Sequence, residues 1–263
     1  MSARFATKLA NGAGMAQGHG RKWLHRVAGS VLMLGLAVGI GRADCAELNL
    51  VLAIDGSGSI GAGEFALQQA GYAAAFRSDR VQRALASAGV VNVAVVLWGD
   101  AAMPVQLMAF QRVAGGADAD RLAARLAGLE RRVSGNTGIG GGVWAALDLL
   151  DRASVCAARQ LVNVSGDGRE SLSPRPHGEV LLVVARARAV AMGVTINALA
   201  ITTDDAGLTG WYAHHLITGP DGFVMQVTDF ADFAEAIAAK LAREIAPPAL
   251  AELSAADASV WQR

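Results

Sequence analysis

A largely apolar run, Leu48 to Ile54, passes without interruption into Asp55-Gly56-Ser57-Gly58-Ser59. The run has the residue types of a buried β-strand, and the two glycines that follow let the backbone curl beyond its end. Residues 55, 57 and 59 then converge on one point, where they present a carboxylate and two hydroxyls. Oxygen donors of this kind suit a hard divalent cation, Mg²⁺ or Mn²⁺ ahead of zinc. Because hydroxyls are weak neutral ligands, such a site also needs help from another carboxylate and from water.

The same stretch spells a second pattern. Gly56, Gly58 and Gly61 form G-x-G-x-x-G after a strand and before a helix, the fingerprint of a dinucleotide-binding loop. That use requires an acidic residue about 20 positions further on, at the end of the next strand, to hold a ribose. The next strand, Val90 to Trp98, ends near Asp100, nearly twice as far along, and Asp79 falls inside a helical stretch. A nucleotide-dependent oxidoreductase is therefore the weaker alternative.

The rest of the chain alternates strand and helix signals. Glu64 to Ser87 carries apolar residues at helical spacing, including Phe65, Tyr72, Phe76, Val81 and Leu85. Pro104 to Val113 suits a strand near a sheet edge, where proline is tolerated. Asp118 to Leu129 is expected as helix, Arg131 to Gly142 as loop, Val143 to Ala153 as helix and Gln160 to Ser165 as strand. His177 to Met192 then reads as helix, Val194 to Ile201 and Gly222 to Val227 as strands, and Phe230 to Ile245 as a closing helix. This order predicts an α/β fold: one doubly wound, mostly parallel sheet over residues 46–246 with helices on both faces. A tail follows over 247–263. Ligands in such sheets bind beyond the carboxyl ends of the strands, which is where Asp55 falls.

Charge and targeting narrow the partners. The chain has 263 residues with 23 basic and 23 acidic side chains, so no net field draws it to nucleic acid or anionic lipid. Only two tyrosines are present, and no basic run is interleaved with aromatics. Residues 21–43 have the form of a secretory signal: Arg21, Lys22, His25 and Arg26 lead the apolar run Val27 to Ile40, and Gly41-Arg42-Ala43 offers a cleavage site. Met15 is an alternative start. A periplasmic or secreted domain without a membrane span is expected after cleavage.

Both cysteines survive that cleavage. Cys45 precedes Asp55 by ten residues and Cys156 precedes Asp167 by eleven. If the two strands are parallel neighbours, the thiols share a level at the opposite sheet edge, and an oxidising compartment favours a disulfide. Two free thiols, or a lipid on Cys45, are the other outcomes; Asp44 argues against the lipid.

Two further segments belong with the first. Ser134-Gly135-Asn136-Thr137-Gly138-Ile139-Gly140 is a loop able to present the Thr137 hydroxyl, and Val164-Ser165-Gly166-Asp167-Gly168 puts a carboxylate at a strand end. Asp55, Ser57, Ser59, Thr137 and Asp167 together resemble the metal-ion-dependent adhesion site of a von Willebrand factor type A domain. More narrowly, the leading signal, the Val164 to Gly168 segment and Asp229-Phe230-Ala231-Asp232-Phe233-Ala234 are similar to an exported bacterial family of such domains with no assigned function. The resemblance implies direct ligation of one cation by Ser57, Ser59 and Thr137, with Asp55 and Asp167 acting directly or through water. Mg²⁺ is the first expectation, with Mn²⁺ or Ca²⁺ as alternatives. It also implies a non-enzymatic module whose protein partner offers an acidic side chain to the ion. Gly166 departs from the family pattern, in which threonine or serine is frequent.

Other residues carry weaker signals. Asp204 and Asp205 follow the fifth strand and suit a solvated loop. Trp211, Tyr212, His214 and His215 lie in the connection before the last strand, where packing or exposure accounts for them better than chelation. Trp98 is expected in the core. A metal-dependent hydrolase on the same edge needs a general base; Asp100 or Asp204 are the nearest candidates, and nothing singles either out.

Overall fold

Five of the six strands run parallel, and the sixth is an antiparallel edge. The computed structural model describes residues 45–172 and 179–247. The expected export signal over 21–43, the start of the helix expected from His177, and the tail beyond 247 lie outside these residues.

The strands are β1 (Ala46–Asp55), β2 (Val91–Trp98), β3 (Gln106–Val113), β4 (Ala157–Gly166), β5 (Thr195–Ile201) and β6 (Val224–Val227). Their spatial order is β3-β2-β1-β4-β5-β6, with β3 antiparallel to β2. Chain order reverses between β1 and β4, which makes the gap beyond their carboxyl ends the topological switch point of the sheet. The register pairs Ile54 with Ser165, so Asp55 and Asp167 leave the sheet at neighbouring positions.

Helices cover both faces. On one side α1 (Ala62–Arg77), α2 (Asp79–Ala88), α3 (Gly116–Ala127) and α7 (Phe233–Ile245) pack over Leu48, Leu50, Leu52 and Ile54. On the other, α4 (Ile139–Asp151), α5 (Leu182–Met192) and α6 (Leu208–His215) cover Val51 and Ala53. Burial of both faces is why β1 and β2 read as nearly continuous apolar runs.

Several boundaries differ from the sequence expectation; residues 179–181, expected as helix, precede α5, which starts at Leu182. The helix expected over Glu64 to Ser87 is two helices, because Ser78 ends one and starts the next: its Oγ donates to Ala75 O at 2.7 Å and accepts from Val81 N at 3.3 Å. The loop expected through Gly142 ends earlier, since α4 starts at Ile139. Gly140 and Gly142 are helical because nothing larger fits. A Cβ on Gly140 would come 2.2 Å from Val180 O, and one on Gly142 2.4 Å from Trp98 Cγ. The connection holding Trp211 and Tyr212 contains α6.

At the amino edge of the sheet Cys45 and Cys156 are joined, with Cα atoms 4.8 Å apart. Nearby, Arg159 donates to the carbonyls of Glu244, Ile245 and Ala246, which ties the end of α7 to the start of β4. Beneath α7 runs a buried polar seam. The Glu244 carboxylate accepts from Asn163 Nδ2 at 2.6 Å, from Asn197 Nδ2 at 3.1 Å and from Lys240 Nζ. Lys240 and Glu244 are 0% and 2% exposed, and burial lowers the Lys240 pKa. Among the described residues no helix is long and apolar enough to cross a membrane.

Candidate functional site

Beyond the carboxyl end of β1 the chain turns through Gly56 to Ser59 and brings oxygens together. Asp55 Oδ1 accepts the Ser57 amide at 2.8 Å, which closes the turn. Ser57 Oγ lies 3.1 Å from Ser59 Oγ, and Ser59 Oγ donates to Asp167 Oδ1 at 2.8 Å. Ser57, Ser59 and Asp167 are thus linked through side-chain oxygens, and Asp55 joins them through the Ser57 amide. Asp55 and Ser57 are buried, Asp167 is 6% exposed, and Ser59 faces solvent.

Asp55 Oδ2 is buried and has no hydrogen-bond partner. An unpaired carboxylate oxygen away from water costs free energy, and the group responds by holding a proton. Burial, followed by the neighbouring Asp167 charge, pushes the Asp55 pKa up to about 7. Burial also raises the Asp167 pKa, against the bond from Ser59, which lowers it.

Thr137 comes from the loop before α4. Its amide donates to Ser171 Oγ at 3.0 Å and its carbonyl accepts from Ser171 N at 2.9 Å, so this loop is laced to the segment after Asp167. Thr137 Oγ1 lies 3.5 Å from where a Cβ on Gly168 would stand. On its other side the loop is held by Asp100, whose Oδ2 accepts from Asn136 N at 3.1 Å and Asn136 Nδ2 at 2.9 Å. Asp100 Oδ1 accepts from Ala102 N, and these bonds, that from Ala102 first, lower its pKa. A carboxylate so occupied shapes a loop and makes a poor general base.

The glycines of the dinucleotide-like pattern are committed inside the chain. Gly56 N donates to Trp98 O at 2.7 Å, Gly58 N to Gly135 O at 2.7 Å and Gly61 N to Glu64 Oε2 at 2.7 Å. A phosphate-binding loop needs such amides free to face the ligand. Here Glu64 already serves the amino end of α1.

Residues outside the sequence motif complete the surroundings. Gln68 Nε2 donates to Asp55 O at 3.3 Å, and Tyr212, fully buried on α6, donates from Oη to Gly168 O at 3.0 Å. Arg169 pairs with Asp205 at 2.6 and 3.2 Å, so Asp205 anchors the Asp167 loop, while Asp204 is exposed and its charge raises the Asp167 pKa. No periodicity marked Tyr212, because α6 spans only eight residues and buries only Leu208 and Tyr212. The two histidines do not converge: His214 Nδ1 meets Gly210 O, and His215 stacks on Trp211 at 4.8 Å between ring centroids. Trp98 is core, 1% exposed. Among the described residues no three His, Cys, Asp or Glu side chains gather as a metal-binding group. The donor set at the sheet edge is hydroxyl and carboxylate oxygen, which fits a hard cation.

Solved structures share this architecture. The pilus adhesin SpaC from Lactobacillus rhamnosus GG matches with a TM-score of 0.55 at 14% identity, covering 77% of this chain and 31% of the adhesin. Proximal thread matrix protein 1 from the mussel byssus, solved with a zinc-occupied MIDAS motif, matches at 0.52 and 17% identity over 75% of this chain and 46% of that protein. The von Willebrand factor domain of the type V pili tip protein Mfa5 from Porphyromonas gingivalis matches at 0.51 and 13% identity, covering 77% and 96%. The chain thus spans less than half of the adhesin and of the matrix protein. No curated protein matches by sequence. Residues 44–249 match the family described as "Protein of unknown function (DUF1194)". The chain belongs to that family, and its fold is that of a von Willebrand factor type A domain.

Proposed function

We infer that Asp55, Ser57, Ser59, Thr137 and Asp167 hold one divalent cation, Mg²⁺ in the first place, and that the domain over 46–246 uses this edge to dock a protein partner. The observation that carries this is Asp55 Oδ2, a buried carboxylate oxygen with no hydrogen bond, on a residue whose other oxygen holds the Ser57 amide and which feels the charge of a second carboxylate, Asp167. Two carboxylates match the charge of a divalent ion, and the hydroxyls add donors without adding charge. Hydrogen bonds already hold neighbouring oxygens at 2.8 and 3.1 Å. Adjacent ligands of an octahedral ion with 2.0–2.1 Å bonds stand about 2.9 Å apart, so little rearrangement is needed. A bound ion supplies positive charge that accepts an oxygen from outside the chain. Ser59 is the exposed member of the set, so the approach is from its side. An acidic side chain of a partner is the group this arrangement fits.

Export supports the same use. The signal-like segment 21–43 and the disulfide between Cys45 and Cys156 belong to a protein that works outside the cytoplasm, in the periplasm or beyond the cell. The adhesin and pilus-tip neighbours share the fold, and a docking role without chemistry agrees with the engagement of Asp100, one of the two general-base candidates, in loop contacts. Calorimetric titration of the mature chain with Mg²⁺ and Mn²⁺ tests the site. Pull-down from the host's extracytoplasmic fraction, with and without chelator, tests the docking. Unchanged Mg²⁺ affinity in Asp55→Ala would remove the reading.

A further inference from the structure

Gly166 is a glycine for reasons of space. Its φ is not among the positive values found at Gly89, Gly135, Gly193 and Gly219, so the backbone alone would accept a side chain. A Cβ at this position would lie 2.8 Å from Asp55 Oδ2 and 2.8 Å from Tyr212 Oη, contacts that real Cβ atoms do not make. The place a side chain would take is claimed from one side by the unpaired carboxylate oxygen and from the other by the tyrosine hydroxyl.

Tyr212 reaches this point from α6, and its bond to Gly168 O grips the loop just past Asp167. One residue further, Arg169 is paired to Asp205, three residues before α6. The loop that carries Asp167 is therefore fastened at two points by a segment outside the sequence motif. The chemistry of the fastener matters. A lysine at this position would place a fixed cation beside both carboxylates and compete with a metal ion. The Tyr212 hydroxyl is neutral, and burial together with the charges of Asp55 and Asp167 pushes its pKa well up, so it stays protonated as a donor.

We propose that Gly166 and Tyr212 form a matched pair that positions the Asp55 and Asp167 carboxylates of the metal site, with Tyr212 as a positioning residue. This rests on the metal reading above. The pairing accounts for the departure at Gly166: with Tyr212 Oη and Asp55 Oδ2 where they stand, a serine or threonine there would collide with both.

The test uses Mn²⁺ as the probe, followed by electron paramagnetic resonance on the mature chain. Tyr212→Phe keeps the ring in the core and removes only the hydroxyl; Mn²⁺ affinity falls by roughly tenfold, the lower end of the loss when groups behind metal ligands are removed. Gly166→Ala adds the colliding carbon, and the fall approaches about a hundredfold. The double variant falls by less than the product of the two, since the carbon then meets one obstacle instead of two. Hydrogen exchange in chelator adds a measurement that needs no metal: Tyr212→Phe speeds exchange at residues 166–169 while α7 keeps its protection. Wild-type Mn²⁺ affinity in Tyr212→Phe overturns the proposal, as does unchanged loop exchange. If the wild-type chain itself binds no Mn²⁺, the metal reading fails, and the exchange result alone decides whether the pair holds the loop.

Discussion

Two of the buried carboxylates in this domain sit under opposite conditions. Glu244, beneath α7, accepts from Asn163, Asn197 and Lys240, and the cation beside it is buried too. Asp55, at the carboxyl edge of the sheet, has one oxygen engaged by the Ser57 amide and the other engaged by nothing. The first group is satisfied within the chain, whereas the second keeps one oxygen unpaired. Burial of an acid is thus no sign of function by itself; Asp55 is singled out by an unpaired oxygen together with its place at the switch point of the sheet.

The strongest way to break this comparison is to remove a partner from the satisfied group. Lys240→Met leaves Glu244 buried without its cation, and a loss of about 3–5 kcal/mol is expected in urea unfolding, equal with chelator and with Mg²⁺. A next, smaller effect is expected at the amino edge. Replacing Cys45 and Cys156 together by serine opens a link across 111 residues and removes about 2–4 kcal/mol, again without regard to metal.

Asp55→Asn should do the reverse of Lys240→Met. It removes an acid whose ionisation burial opposes while keeping an acceptor for Ser57, so in chelator at pH 8, above the Asp55 pKa of about 7, the variant gains about 1 kcal/mol. The gain reverses with metal: at Mg²⁺ a hundredfold above its Kd, the wild type is stabilised by about 2.7 kcal/mol and the variant is not. Thermal unfolding in both conditions reads this crossover, and an Asp55→Asn that is destabilised in chelator would show that the carboxylate is structural after all. The smallest effect belongs to Asp100→Ala. It frees Asn136 beside Thr137, so Mg²⁺ affinity measured by calorimetry drops a few-fold while stability moves by no more than about 0.5 kcal/mol.

Part of the candidate site was legible because three of its residues fall at fixed spacing directly after an apolar run. Asp55, Ser57 and Ser59 lie within five positions, and the runs before Asp55 and Asp167 have the composition of doubly buried strands, which sets both acids at one edge. The satisfied group was not legible. Its signal was present as one asparagine in each of β4 and β5, Asn163 and Asn197, yet polar residues inside apolar runs do not say which helix will meet them. Tyr212 was hidden for a related reason: a short helix that buries only two side chains gives no period to read. The break at Ser78 falls in the polar stretch Arg77 to Arg80, where serine followed by aspartate is a helix-start signal that apolar spacing alone passes over, and the capping bonds of its hydroxyl reveal it. Ser134 to Gly140 pointed to a loop, but the length of that loop depends on the close approach of Val180 to Gly140, a contact made 40 residues along the chain.

The amino edge carries one more implication. Cys45, just before the first strand, is bonded to Cys156, and Arg159 in the adjoining strand holds the carbonyls at the end of α7. The domain is therefore entered and left at the same pole, the one opposite Asp55 and Ser59. Both described ends of the domain, Cys45 and Ala246, therefore stand away from the edge that carries the oxygens. Cross-link and oxygens thus occupy opposite ends of the same strands, so a change at one is separated from the other by the full length of the sheet.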